Sequence, residues 1–203
     1  MRAVATMQAQ IEEERLVAIL RTADLEAAVA AVDVLVAEGV TVIEFSLAGA
    51  AALDALRESR ARHGASVALG TGTVLEPAQV EQSLAAGAEF LIAPNVDERV
   101  CRAAAQAGVL HIPGALTPTE VALAMHLGAP LVKLFPAGRL GPAYVRDLRG
   151  PLPAVRLLAT GGVTAETAGE FLAAGCVAVA AGGALGSGDP AAARALRDAV
   201  RRG

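Results

Sequence analysis

Sixteen of the 17 basic residues in this 203-residue chain are arginine, and the one lysine is Lys133. Arginine serves as a surface charge, an ion-pair partner or a phosphate clamp. Its guanidinium does not lose a proton and attack a carbonyl, which a desolvated amine does. Lys133 stands in the apolar run Pro130-Leu131-Val132-Lys133-Leu134-Phe135-Pro136, where burial would lower its pKa toward reactivity. A lysine that caps a strand or snorkels to water is the alternative. Glu44 has a similar setting in Thr41-Val42-Ile43-Glu44-Phe45-Ser46-Leu47. Strand alternation puts Val42, Glu44 and Ser46 on one face and the bulkier Ile43, Phe45 and Leu47 on the other. The bulky set belongs against helices, so Glu44 is expected inside a closed sheet near its C-terminal mouth. Leu131, Lys133 and Phe135 share an inward face by the same logic. An amine and a carboxylate at one mouth are the minimum for imine chemistry with proton shuttling. A satisfied buried ion pair is the other reading.

Three Gly-rich segments are read as turns after strands: Gly70-Thr71-Gly72-Thr73, Thr160-Gly161-Gly162-Val163-Thr164 and Ala181-Gly182-Gly183-Ala184-Leu185-Gly186. The last two follow the seventh and eighth strand-like runs, where barrels commonly bind phosphate through backbone N–H groups and a helix N-terminus. His111 ends the fifth run and is read as a core or surface residue, although an inward side chain there could reach the same pocket. His63 and His126 are placed at helix C-terminal ends, where a cation suits the helix dipole. No pair has metal-ligand spacing, and Cys101 and Cys176 are read as reduced core thiols.

The elements that must position these residues alternate along the whole chain. Strand-like runs fall at Leu16–Leu20, Thr41–Phe45, Ser66–Leu69, Glu89–Ile92, Val109–Ile112, Leu131–Phe135, Val155–Leu158 and Val177–Ala180. Amphipathic helical stretches lie between them, such as Asp24–Glu38, Ala50–Arg62 and Pro77–Ala86, and several end in Gly. Thr117-Pro118-Thr119-Glu120 has the form of a helix-starting capping box. Eight βα units predict an α/β fold, a (β/α)8 TIM barrel, whereas a doubly wound sheet of six strands would leave two runs unexplained. Residues 1–15 read as an extra N-terminal helix covering the barrel bottom, and residues 1–203 as a single domain.

Composition narrows the functions. A net charge of -4 and 2% aromatic residues argue against nucleic acid as a partner. No run resembles a signal peptide or a membrane span, so no membrane partner and a cytoplasmic location are expected.

Taken in order, Ala18-Ile19-Leu20-Arg21, Ile43-Glu44, Gly70-Thr71-Gly72-Thr73-Val74, Ala93-Pro94-Asn95, Pro113-Gly114, Val132-Lys133-Leu134-Phe135-Pro136, Thr160-Gly161-Gly162-Val163 and Gly182-Gly183-Ala184-Leu185 resemble the class I 2-keto-3-deoxy-6-phosphogluconate (KDPG) aldolases. These are also described as 4-hydroxy-2-oxoglutarate (KHG) aldolases. The resemblance implies a homotrimeric barrel that cleaves a small phosphorylated keto acid to pyruvate and glyceraldehyde 3-phosphate, with no metal and no cofactor. It matches Lys133 to the imine-forming lysine and Glu44 to the general acid/base. Thr73 matches a carboxylate-holding hydroxyl, Thr160 a threonine near the substrate hydroxyls, and Pro94 and Phe135 apolar walls. Gly161, Gly162, Gly183 and Ala184 match the phosphate cradle.

One departure stands out: many relatives carry an arginine where this chain has Ala48, and Arg21 is the candidate to face the carboxylate instead. Galactonate-type relatives share that departure and the Ile-Leu-Arg motif, whereas Thr160 favours a gluconate-type substrate. Other readings are a 2-keto-3-deoxy-6-phosphogalactonate aldolase, a non-catalytic phosphate-ligand-binding barrel, or a thiamine-phosphate synthase-like enzyme.

Overall fold

The structure is a computed structural model describing residues 2–202; Met1 and Gly203, at the two ends of the expected helix and domain, lie outside the described residues. The chain begins with helix α1 (Val4–Glu14). The strands are β1 (Leu16–Leu20), β2 (Val42–Ser46), β3 (Ala68–Gly72), β4 (Phe90–Ile92), β5 (Leu110–Ile112), β6 (Gly114–Ala115), β7 (Val132–Leu134), β8 (Leu157–Thr160) and β9 (Ala178–Ala181). Helices α2 (Leu25–Ala37), α3 (Ala52–His63), α4 (Pro77–Ala85) and α5 (Glu98–Gln106) follow β1 to β4. Helices α6 (Pro118–His126), α7 (Ala137–Arg149), α8 (Ala165–Ala173) and α9 (Pro190–Arg202) follow β6 to β9. The described strands form one all-parallel sheet in the order β5-β4-β3-β2-β1-β9-β8-β7-β6.

This is the expected (β/α)8 barrel, with its fifth strand broken in two. Proline has no N–H to give to a ladder, and Pro113 separates β5, which pairs with β4, from β6, which pairs with β7. The Pro113 carbonyl still accepts from Lys133 N at 2.9 Å, so the two ends of the sheet order are one stretch of chain and the barrel closes. The seventh run lies two residues later than expected, because Val155 N donates to Leu152 O (3.1 Å) in the turn after α7.

Alternation sorts the side chains into two layers. Val17, Val42, Ala68, Phe90, Ile92, Leu110, Ile112, Leu131, Leu158, Ala178 and Ala180 fill the barrel interior, each at most 1% exposed. Ile43, Phe45, Leu69, Leu91, Val132 and Leu134 point outward to the helices. Met7 and Ile11 of α1 close the bottom of the inner layer, fully buried, each contributing roughly 1.5–3 kcal/mol. Arg156 pairs with Glu12, and Thr41 Oγ1 donates to Glu14 at 2.9 Å, which ties α1 to the barrel rim. The Thr117–Glu120 capping box starts α6 with Pro118 in its first turn. Cys101 and Cys176 are buried free thiols, the second pushed up to about 12 by burial.

Candidate active site

The last turns of the strands and the loops beyond them surround a cleft of about 1320 Å³. Glu44, on the inward face of β2, is 1% exposed. Its room is made by the neighbouring strand: a Cβ on Gly72 would stand 1.4 Å from Glu44 Oε1, and one on Gly70 2.6 Å from the Phe90 ring. These glycines are therefore not the turn that the sequence suggests. They are strand residues of β3, present because the interior leaves no space for a side chain.

Lys133, on the inward face of β7, is 6% exposed, and its Nζ lies 5.0 Å from the centroid of the Phe135 ring. That distance is within cation–π reach. Burial raises the Glu44 pKa above its ordinary value, opposed by the charges of Lys133 and Arg21. Burial lowers that of Lys133; Glu44 opposes the shift and Arg21 adds to it. Among the described residues no hydrogen bond or ion pair of either side chain is formed, and Glu44 Oε2 is buried without a partner. The pair is thus close enough to interact through charge, yet not locked in the salt bridge that would make it merely structural.

Arg21 leaves the end of β1, two residues past the Ile19–Glu44 register pair. Its exposed guanidinium makes no ion pair or hydrogen bond among the described residues, and Ala48 lines the same cleft. Thr73 follows β3 in a left-handed conformation (φ 61°), its Oγ1 2.9 Å from Ser46 Oγ. Pro94 and Phe135 wall the cleft. Thr160, 3% exposed, ends β8 with its hydroxyl 3.4 Å from Leu158 O.

Gly161 follows at φ 86°, where a Cβ would lie 2.8 Å from the Phe135 ring. Only glycine fits that backbone and that contact. The N–H groups of Gly162, Gly183 and Ala184 donate to no protein acceptor among the described residues. These residues line the cleft together with Thr164 and Ala165 at the start of α8, and free N–H groups and a helix start suit an anion.

All eleven residues singled out from the sequence line this one cleft. His111 does not. It lies between the inward Leu110 and Ile112, so its ring points to the helix layer, where burial holds its pKa down to about 4. Sequence reasoning passed over Ile19, Thr22 and Ser187, which also line the cleft. Ile19 could have been found by counting two residues back from Arg21 along β1. Among the described residues no group of three or more His, Cys, Asp or Glu side chains gathers, and no helix is long and apolar enough to cross a membrane.

The arrangement puts an amine, a carboxyl group, an arginine and unpaired backbone N–H groups around one cleft. Comparison with known proteins bears on its chemistry. A family described as KDPG and KHG aldolase matches residues 7–197. A 2-dehydro-3-deoxy-6-phosphogalactonate aldolase of Escherichia coli (strain K12) is 34% identical over 173 residues, 85% of this chain and 82% of the relative. A KHG/KDPG aldolase of the same organism is 37% identical over 150 residues, 73% of this chain and 70% of the relative. The crystal structure of a 4-hydroxy-2-oxoglutarate/2-dehydro-3-deoxyphosphogluconate aldolase from TTHB1 superposes with a TM-score of 0.83 at 35% identity. It covers 95% of this chain and 97% of that one.

Proposed function

Because the chain belongs to the KDPG and KHG aldolase family, we propose that it cleaves 2-keto-3-deoxy-6-phosphogluconate to pyruvate and glyceraldehyde 3-phosphate through a Lys133 imine. Cleavage of 4-hydroxy-2-oxoglutarate to pyruvate and glyoxylate is a second activity of the same site. One observation carries this reading. The chain's single lysine is buried near a buried, unpaired carboxyl group, in a cleft that also holds unpaired backbone N–H groups.

Neutral Lys133 Nζ adds to the C2 ketone, and Glu44, directly or through a water, protonates the departing carbinolamine hydroxyl to leave a protonated imine. Glu44, now a carboxylate, takes the proton of the C4 hydroxyl. The C3–C4 bond breaks, its electrons pass into the imine to form an enamine, and the aldehyde leaves. Glu44 returns the proton to C3, and water adds to the protonated imine, releasing pyruvate and neutral Lys133 while the surplus proton goes back to Glu44. Arg21 and Thr73 hold the keto-acid carboxylate, while Pro94 and Phe135 pack against its carbon chain. Thr160 meets the substrate hydroxyls, and the N–H groups of Gly161, Gly162, Gly183 and Ala184 hold the phosphate. No metal or cofactor enters these steps.

Borohydride reduction with pyruvate tests the mechanism. One side chain, Lys133, gains the mass of the reduced adduct, and Lys133→Arg, which keeps the charge, is neither trapped nor active. Cleavage by Lys133→Arg at an appreciable rate would sink the proposal.

The Thr160 hydroxyl in the cleft supports the gluconate-derived substrate. The presence of Arg21 together with Ala48 in place of an arginine, and the 34% identity to the galactonate enzyme, favour the C4 epimer as a second reading; kcat/KM on the two epimers decides between them. We also propose a cytoplasmic homotrimer. Leu75, Leu116 and Leu123 are large apolar side chains left 42%, 37% and 46% exposed, which a subunit contact would cover. A sedimentation mass other than three chains would refute that assembly.

A further inference from the structure

Thr73 is a β-branched residue in the left-handed region (φ 61°), shared among the described non-glycine residues only with Arg15. Such a side chain crowds its own backbone, so the surrounding structure has to hold it there. Two backbone bonds flank it: Leu47 N donates to Gly72 O at 2.8 Å, and Val74 N to Ile92 O at 3.1 Å. The side chain is held by Ser46, whose Oγ lies 2.9 Å from Thr73 Oγ1. Ser46 is 1% exposed, does not line the cleft, and has no other side-chain hydrogen bond among the described residues.

We propose that Ser46 is a positioning residue for substrate: it donates to Thr73 Oγ1 and thereby turns the Thr73 proton toward the keto-acid carboxylate. The proposal rests on the reading of Thr73 as a carboxylate ligand. The sense of the relay follows from counting protons. Each hydroxyl has one proton and two lone pairs, and a carboxylate only accepts. Once Thr73 gives its proton to the carboxylate, the buried contact with Ser46 persists only if Ser46 is the donor. Without a ligand either hydroxyl can donate, so binding fixes the direction, and two hydrogen bonds running in one sense strengthen each other.

The test reads the pyruvate concentration that gives half-maximal borohydride trapping at Lys133 in the wild type, Ser46→Ala, Thr73→Val and the double variant. Thr73→Val is expected to raise it by about tenfold or more, and Ser46→Ala by roughly 3- to 10-fold, on half-saturation more than on the saturated rate. The double variant should be no worse than Thr73→Val, because Ser46 acts only through that hydroxyl. Additive losses would make Ser46 an independent structural contact and overturn the relay. An unchanged Ser46→Ala beside a weakened Thr73→Val would overturn the relay alone, leaving the role of Thr73 intact. An unchanged Thr73→Val would remove both. If Ser46→Ala does not fold, Ser46→Cys, of similar shape with a weak donor, should still raise half-saturation, and an unchanged value would overturn the proposal.

Discussion

Arg21 acts on the protonation of both buried groups without forming a bond to either. Its charge pushes the Lys133 pKa further below 10.5 and partly offsets the burial that lifts Glu44 above 4.5. The amine attacks only when neutral, so the acid limb of imine formation tracks the Lys133 pKa. Removing Arg21 removes a repulsion that helps keep that proton off, and the limb moves to higher pH. Glu44 loses an attractive cation, so its own limb also moves up. Arg21→Ala should therefore shift both limbs alkaline and raise half-saturating pyruvate by about tenfold or more, the loss of a charge-assisted bidentate partner. Ala48→Arg in that background should restore part of each, since Ala48 faces the same cleft. A pH–rate profile at several pyruvate concentrations checks this; a lower saturated rate with unmoved limbs and half-saturation would leave Arg21 only shaping the mouth. Lys133 and Glu44 were legible in the sequence because their types are out of place in apolar strands, and Arg21 was legible only through the resemblance, as the candidate to replace the arginine missing at Ala48. Ser46 was not, because its meaning lies in a 2.9 Å cross-strand contact that a single strand's sequence does not contain.

The strand is the element that converts sequence into site, and its period of two explains both what was readable and what was not. Glu44 and Lys133 fall on the inward face because bulky neighbours at odd offsets claim the helix side. The same parity turns His111 away, since Leu110 and Ile112 take the interior; with both neighbours apolar, the sequence of that run left its facing open. Gly70 and Gly72 misled for a related reason: glycine marks turns in most sequences, and here it marks a close approach inside β3. Gly72→Ala puts a methyl group into the position of Glu44 Oε1, 1.4 Å away. Either Glu44 leaves its place or β2 and β3 separate, an overpacking that costs roughly 1–3 kcal/mol. The variant should melt lower and lose most of its turnover. Adding Glu44→Ala should return the stability but not the turnover. Thermal melts beside cleavage assays check this, and a Gly72→Ala enzyme of wild-type stability and rate would show that Glu44 does not depend on the gap.

At the scale of the molecule, the inner layer continues without interruption from Met7 and Ile11 at the bottom to the cleft at the top, and we propose that residues 1–203 unfold as one unit. His111 supplies a probe of that unit away from the chemistry. In the unfolded chain its imidazole titrates near 6.5, and in the folded chain burial lowers the value to about 4. Between those values the unfolded state takes up a proton that the folded state refuses, so stability falls as pH falls through that window, by up to ~3 kcal/mol. Glu44 works in the opposite sense. Its folded pKa is raised, so its burial weighs least on the fold in acid, and the wild-type slope alone mixes the two contributions. The difference between wild type and His111→Leu isolates the imidazole, because leucine keeps an apolar group in the helix layer and cannot titrate. Urea unfolding at fixed protein concentration, from pH 7.5 to pH values near 4, should show a shallower acid loss in His111→Leu. Circular dichroism and Lys133 trapping should report coincident midpoints at each pH, as one cooperative barrel requires. Equal acid sensitivity in the two proteins would mean that the buried imidazole is not what weakens the fold in acid, and separated midpoints would divide the barrel into parts.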